Sequence, residues 1–233
     1  MSVKHTQQIA CLKCKKKSDF EFYGSINTML DPGLKQRVKN FDIFKFICPH
    51  CGSEQFVNYS FLYHQMEDKL MIFYCQDEEE VEKVRTLYAD DFATALNEKG
   101  EQQDIDTTGY RRRIVIGADN LVEKIRIFDA GLDDRLIEIY KVLLYGQMQS
   151  QLAEMPGGDA VDDVFVDEQL DGSLDFVFVA DGKAVGVVSF AQEIYDIIEK
   201  QYSDAVSQLA DAEPVIDQDW AFDFLAKVAQ QNA

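Results

Sequence analysis

The sequence predicts an α+β fold on three observations. The amino-terminal third alternates apolar and polar residues in short runs such as DFEFYGSI, the two-residue period of half-buried strands. The middle carries two longer runs with helical spacing, NLVEKIRIF and LDDRLIEIYKVLLYGQM. Beyond a Pro-Gly-Gly break, DVFVDEQL, LDFVFVA and KAVGVVSF return to strand spacing ahead of a helical end.

Taken in order, the first landmark is CLKC at 11–14, followed by the strand DFEFYGSI. Asp31-Pro32 provides a helix start for LKQRVKN, with Asp31 as N-cap and Pro32 in the first helical position. FDIFKFI reads as a returning strand that delivers CPHC at 48–51. QFVNYSFLY and KLMIFY, joined by HQMED, form a hairpin. Residues 76–97 predict an amphipathic helix with Val81, Val84, Tyr88, Phe92 and Leu96 on one stripe and acidic residues crowding its first turn. EKGEQQDIDTTG is a polar connector and YRRRIVI a strand; the two helical runs that follow break at Gly131. PGGD at 156–159 marks the domain boundary, giving domains 1–155 and 156–233. In the second, Asp181-Gly182 is a type I′ hairpin signal, and helices at 190–210 and 218–230 close the chain.

At 233 residues and 46% apolar content the chain can bury a sizeable core. The amino terminus lacks the apolar run of a signal peptide, and no window approaches the roughly 18 apolar residues of a membrane helix. The expectation is a cytoplasmic protein with no membrane partner. Thiols stay reduced there, so paired Cys-x-x-Cys spacing favours metal ligation or redox chemistry over structural disulfides. The net charge of -19 is uneven: residues 1–74 carry ten Lys/Arg against seven Asp/Glu, the remainder thirteen against thirty-five. So acidic a remainder argues against nonspecific nucleic-acid binding by the whole chain.

Each Cys-x-x-Cys turn can aim two sulfurs at one point about 2.3 Å away, but one turn cannot fill a tetrahedral shell. Two can. Cys11, Cys14, Cys48 and Cys51 are therefore the expected metal ligands, with a strand, a helix and a returning strand in the 33 residues between the pairs placing both turns at one end. That arrangement is a zinc ribbon with a helical insertion, followed by a helical segment and a small carboxy-terminal α+β module. Zn²⁺ suits a closed thiolate site without redox demand. CPHCG also resembles a rubredoxin knuckle, which holds iron, although Lys15 stands where the first turn would need glycine. A dithiol redox pair is the remaining reading.

With these turns and the following NYSFLYHQMEDKLMIFY on the page, the chain resembles the CpXC domain family of bacteria and archaea. The likeness continues through RRRIVIGADNLVEKIRIFDAGLDDRLIEI, over residues 8–145. Cys48-Pro49-His50-Cys51 fits the family's CPxC motif in full, whereas Leu12 replaces the proline of the first turn. The resemblance implies a metal site and a fold, and no reaction.

The other candidates have plainer readings. Cys75 is a small buried residue at a strand end, His50 an exposed loop residue, His5 part of a frayed terminus, and His64 a ring hydrogen-bonding the strand end or a carboxylate. Lys13, Lys15, Lys16 and Lys17 surround the first thiol turn, as a phosphate-contacting patch, as a solvated face easing the thiolate charge, or as a face that docks on the acidic remainder of the chain. Arg111, Arg112 and Arg113 alternate across a strand and do not form one anion clamp. Asp133 and Asp134 serve a helix start. DEQLDGSLD lacks the bidentate Glu of a calcium loop, and GxSxG, HExxH, GxxxxGK[ST] and GxGxxG are absent. The expectation is a zinc-binding, non-catalytic interaction or regulatory protein with an unidentified protein partner. An iron electron carrier, an enzyme with an unrecognised site and a nucleic-acid-binding ribbon are the alternatives.

Overall fold

The protein is seen here as a computed structural model that describes residues 2–89, 94–96, 102–104, 109–208 and 213–231. Its class is α+β, as expected. The chain divides into two compact units, Met1–Leu121 and Val122–Ala233.

In the first unit, β1 (Val3–Ala10) and β2 (Lys17–Asn27) form an antiparallel hairpin with CLKC in its turn. His5 is thereby held in a strand, its ring 5.3 Å from that of Phe22, and is not frayed as expected. α1 (Pro32–Lys39) begins at the predicted place, but Asp31 does not cap it. Its carboxylate instead accepts from the backbone N–H of Ser2 at 3.1 Å. Pro32 needs no donor partner and has its φ preset, so the helix starts without the cap. FDIFKFI is not one strand: Phe41 adopts φ 59, Asp42–Phe44 make a 3₁₀ turn, and only β3 (Lys45–Ile47) is extended. β3 pairs antiparallel with β4 (Glu54–Phe56), and CPHC forms their turn.

β5 (Phe61–Gln65) and β6 (Leu70–Cys75) form the expected hairpin, but its first strand is shorter and later than QFVNYSFLY: Gln55 and Phe56 belong to β4, and His64 and Gln65 extend β5. β5 lies parallel to β2, and β9 (Arg111–Ile116) lies parallel to β6, giving a five-stranded sheet in the order β1-β2-β5-β6-β9. Between β6 and β9 come α2 (Glu78–Ala89) and a short antiparallel pair, β7 (Thr94–Leu96) and β8 (Gln102–Asp104). The helix expected over 76–97 therefore ends earlier: Leu96 is in β7, and Phe92 and the side chain of Tyr88 lie outside the described residues. The connector is likewise not wholly irregular, since it contains β8. Ile26, Val38, Phe44, Tyr63 and Ile72 are fully buried in this unit. Cys75 is buried at the end of β6, and burial pushes its thiol up to about 11.

α3 (Ala118–Asp129) crosses the division between the units and is followed by α4 (Asp134–Leu152); Gly131, at φ 73, breaks them apart. Asp133 caps α4 by accepting from Arg135 N at 3.0 Å. β10 (Asp163–Glu168), β11 (Leu174–Ala180) and β12 (Lys183–Ser189) form an antiparallel meander. Asp181 and Gly182 both have positive φ, 49 and 69, as a type I′ turn requires. The inward face, with Val164, Val166, Phe176 and Phe178, builds a core with residues of α4, α5 (Gln192–Gln208) and α6 (Gln218–Gln231). DEQLDGSLD is the β10–β11 connection, closed by Gln169 N to Ser173 O at 2.8 Å.

The two glycines of PGGD answer to geometry. Gly157 has φ 79, and a Cβ on buried Gly158 would stand 2.0 Å from the carbonyl oxygen of Leu152. Gly158→Ala must displace backbone, so a loss of about 1–3 kcal/mol is expected in urea unfolding. An unchanged midpoint would contradict this close approach.

The second unit also buries charge. Glu123 and Lys124 of α3 meet Asp134, Glu138 and Lys141 of α4, all with side chains at most 3% exposed. Lys141 Nζ lies 2.6 Å from Glu123 Oε1 and 3.1 Å from Glu138 Oε2, while Lys124 Nζ lies 2.8 Å from Glu138 Oε1. Glu123 Oε1 also accepts from the backbone N–H of Val166 at 2.6 Å, tying α3 to the edge of β10.

Candidate metal centre

Both thiol turns are hairpin turns with the same hydrogen-bond pattern. In the first, Cys11 N donates to Lys16 O at 3.0 Å and Lys15 N to Cys11 O at 2.9 Å. In the second, Cys48 N donates to Ser53 O and Gly52 N to Cys48 O, both at 2.9 Å. The residue after the second cysteine must adopt positive φ to close this turn: Gly52 does so at 68 and Lys15 at 62. The lysine therefore leaves the turn geometry intact at a cost in backbone strain of about 1 kcal/mol. Gly52→Ala should lose a similar amount in thermal unfolding, whereas Lys15→Gly should be near neutral, because relief of strain offsets glycine's added chain entropy. Equal losses at both positions would refute the equivalence of the turns.

The first cysteine of each turn is buried; Cys14 is half-buried and Cys51 exposed. The turns interlock so that each buried sulfur faces the outer sulfur of the other: Cys11 Sγ to Cys51 Sγ is 3.7 Å, and Cys14 Sγ to Cys48 Sγ is 3.7 Å. All four sulfurs lie within 4.8 Å of one another, and no cysteine of the chain is in a disulfide. Sulfurs at tetrahedral corners about 2.3 Å from an ion are separated by about 3.8 Å, so the set fits a four-thiolate metal ion. The backbone N–H of Cys14 points at Cys11 Sγ from 3.5 Å and is the main cause holding that thiol down, to about 6. For Cys51 the Ser53 amide favours the thiolate, but the partial desolvation of its sulfur among the three neighbouring sulfurs, and its contacts with them, outweigh it and push the thiol up to about 11.

Residues outside the motifs hold the turns in place. Gln55 of β4 accepts from Leu12 N at 2.9 Å and so joins the two turns; nothing in the sequence singles it out. Phe20 of β2, on the strand that leaves the first turn, packs edge to face on Phe46 of β3 and on Tyr59, with ring centroids 6.1 and 6.0 Å apart. Of the other candidates, His50 is exposed, and His64 hydrogen-bonds the Tyr110 hydroxyl at 3.2 Å, with burial lowering its ring pKa. Arg113 is fully buried while Arg111 and Arg112 are half-buried, and Lys13, Lys15, Lys16 and Lys17 are exposed.

No curated protein and no solved structure matches the chain. A family model described as CpXC protein matches residues 9–141 and includes all four clustered cysteines. With that match spanning more than half of the 233 residues, the chain belongs to the CpXC protein family.

Proposed function

We propose that Cys11, Cys14, Cys48 and Cys51 hold one Zn²⁺ in a zinc-ribbon-like structural centre, and that this cytoplasmic protein is a non-catalytic interaction or regulatory protein acting through a protein partner. The observation that carries the reading is the convergence of four free sulfurs, in interlocked pairs at 3.7 Å, from turns far apart in sequence. Four protein ligands leave no open position for water or substrate, which favours a structural over a catalytic ion. Elemental analysis of protein purified without added metal is expected to give one zinc per chain. Any other stoichiometric result sinks the assignment.

A rubredoxin-like iron carrier gains from one observation: Lys15 takes the same left-handed conformation as Gly52. Strong visible absorption from ferric thiolate would select it, since zinc is colourless.

Acid should release the ion, because thiolates bind it and thiols do not. With Cys51 pushed up to about 11, metal uptake at neutral pH must displace at least its proton. Cys11, held down to about 6, takes up its proton only in the acid range. Release followed with a chromogenic zinc indicator is therefore expected to steepen below about pH 6. Retention that is independent of pH through that range would argue against thiolate ligation.

A further inference from the structure

Large apolar side chains stand exposed around the metal centre: Leu12 at 70%, Ile47 at 64% and Phe56 at 54%. Leu12 lies inside the first thiol turn, and Ile47 immediately precedes Cys48. The β3–β4 register pairs Lys45 with Phe56 and Ile47 with Glu54, so Ile47 and Phe56 are diagonal neighbours on the face opposite buried Phe46. Phe56 is a fixed platform, stacked on Phe44 with centroids 4.9 Å apart. The Gln55 bond to Leu12 N ties the first turn to β4 from the Phe46 side of the ribbon.

Beside this apolar surface Lys13, Lys15, Lys16 and Lys17 are exposed, and among the described residues none is ion-paired. Elsewhere Lys4, Lys45 and Lys83 each hold a carboxylate at 2.7 to 3.0 Å. Among the described residues, therefore, a run of lysines at one end of one hairpin has no carboxylate partner.

We infer that the tip formed by the two thiol turns docks an acidic protein segment carrying apolar side chains; this rests on the interaction reading above and names its partner class. Complementary charge would steer and orient such a segment, and Leu12, Ile47 and Phe56 would supply the buried anchors. A second copy is disfavoured, because a two-fold contact through this tip sets the same lysines against each other. Single-stranded nucleic acid is disfavoured, because it needs stacking platforms and two of the three exposed side chains are aliphatic.

The test titrates isotopically labelled, zinc-loaded full-length chain with a synthetic peptide alternating aspartate with leucine and phenylalanine. The same peptide with lysine for aspartate and a short single-stranded DNA serve as comparators. Amide shifts are expected at residues 11–17 and 45–56 with the acidic peptide alone. Lys13→Glu combined with Lys16→Glu should weaken binding about tenfold or more, and Leu12→Ser several-fold, with the zinc content unchanged. Shifts scattered over the chain, binding indifferent to charge reversal, or tighter binding of the DNA at these residues would overturn the proposal. So would charge reversal that lowers zinc content while sparing peptide binding, for then the lysines serve the thiolates. One zinc per chain with no peptide binding removes the docking site alone, whereas folded protein without zinc removes the metal reading alone.

Discussion

Cys48→Ser, or treatment with a strong chelator, is expected to abolish the cooperative unfolding transition of Met1–Leu121 while sparing that of Val122–Ala233. Structural zinc contributes an apparent 10–16 kcal/mol in small peptides, comparable to the roughly 5–15 kcal/mol that holds a whole domain. Cys11 and Cys48 are buried and Cys11 is held down to about 6, so without the ion the unit must keep an uncompensated thiolate crowded against other sulfurs 3.7 Å away. β3 and β4 are three residues each and pair only with one another, too short a ribbon to persist without the turn that the metal closes. Hydrogen exchange should rise first there, then across β2, β5 and β6. The chain's single tryptophan, Trp220, lies in α6, stacked on Phe224 with centroids 5.3 Å apart, and so reports on the second unit. Its fluorescence transition should survive chelation while far-ultraviolet dichroism shows the loss of the first. A metal-free protein with unchanged exchange in the thiol turns would refute a structural ion.

Lys141→Met is expected to move the Trp220 transition instead, by about 3–5 kcal/mol, the usual loss when a buried pair keeps only one partner. Burial alone would lower the lysine, but Glu123 and Glu138 outweigh it and hold its ammonium above the ordinary range. Burial pushes the Glu123 carboxyl up while Lys141 pulls against it. Two donors, Lys141 Nζ and Val166 N, converge on its Oε1 at 2.6 Å each, so in the intact protein that oxygen is an acceptor. The raised lysine contributes stability that is complete below its unfolded pKa and is lost only as pH climbs through its still higher folded value. The intact network should therefore hold through neutral pH and fail in strong alkali. In Lys141→Met the signs change place: Glu123, raised by burial with its cation gone, folds best protonated. The variant should thus gain stability as pH falls toward the ordinary carboxylate range. Adding Glu123→Gln should recover part of the loss, since the stranded charge is then removed. A Lys141→Met protein with an unshifted Trp220 midpoint would show that these charges are not buried as the structure has them.

The four-sulfur cluster was legible because its information is local: two Cys-x-x-Cys spacings define two turns, and four ligands for one tetrahedral ion would need both. The helix break at Gly131, the Asp133 cap and the Asp181-Gly182 turn were legible for the same reason, since each depends on residues within one turn of chain. Errors fell where distant partners compete. Asp31 has the chemistry of an N-cap, but the amino terminus, brought alongside by β1, offers Ser2 N in place of the helix.

By itself the sequence determined the α+β class, the hairpins and helices with strong periodicity, and the four sulfurs that come together. Tertiary structure alone decided the parallel pairings of β2 with β5 and β6 with β9, which join segments no local pattern relates. It also decided that Glu123, Lys124, Glu138 and Lys141 lie inside the protein. On a helix a charged side chain reads as solvated whichever way it points, and only the elements packed against it determine whether it meets water or an opposite charge.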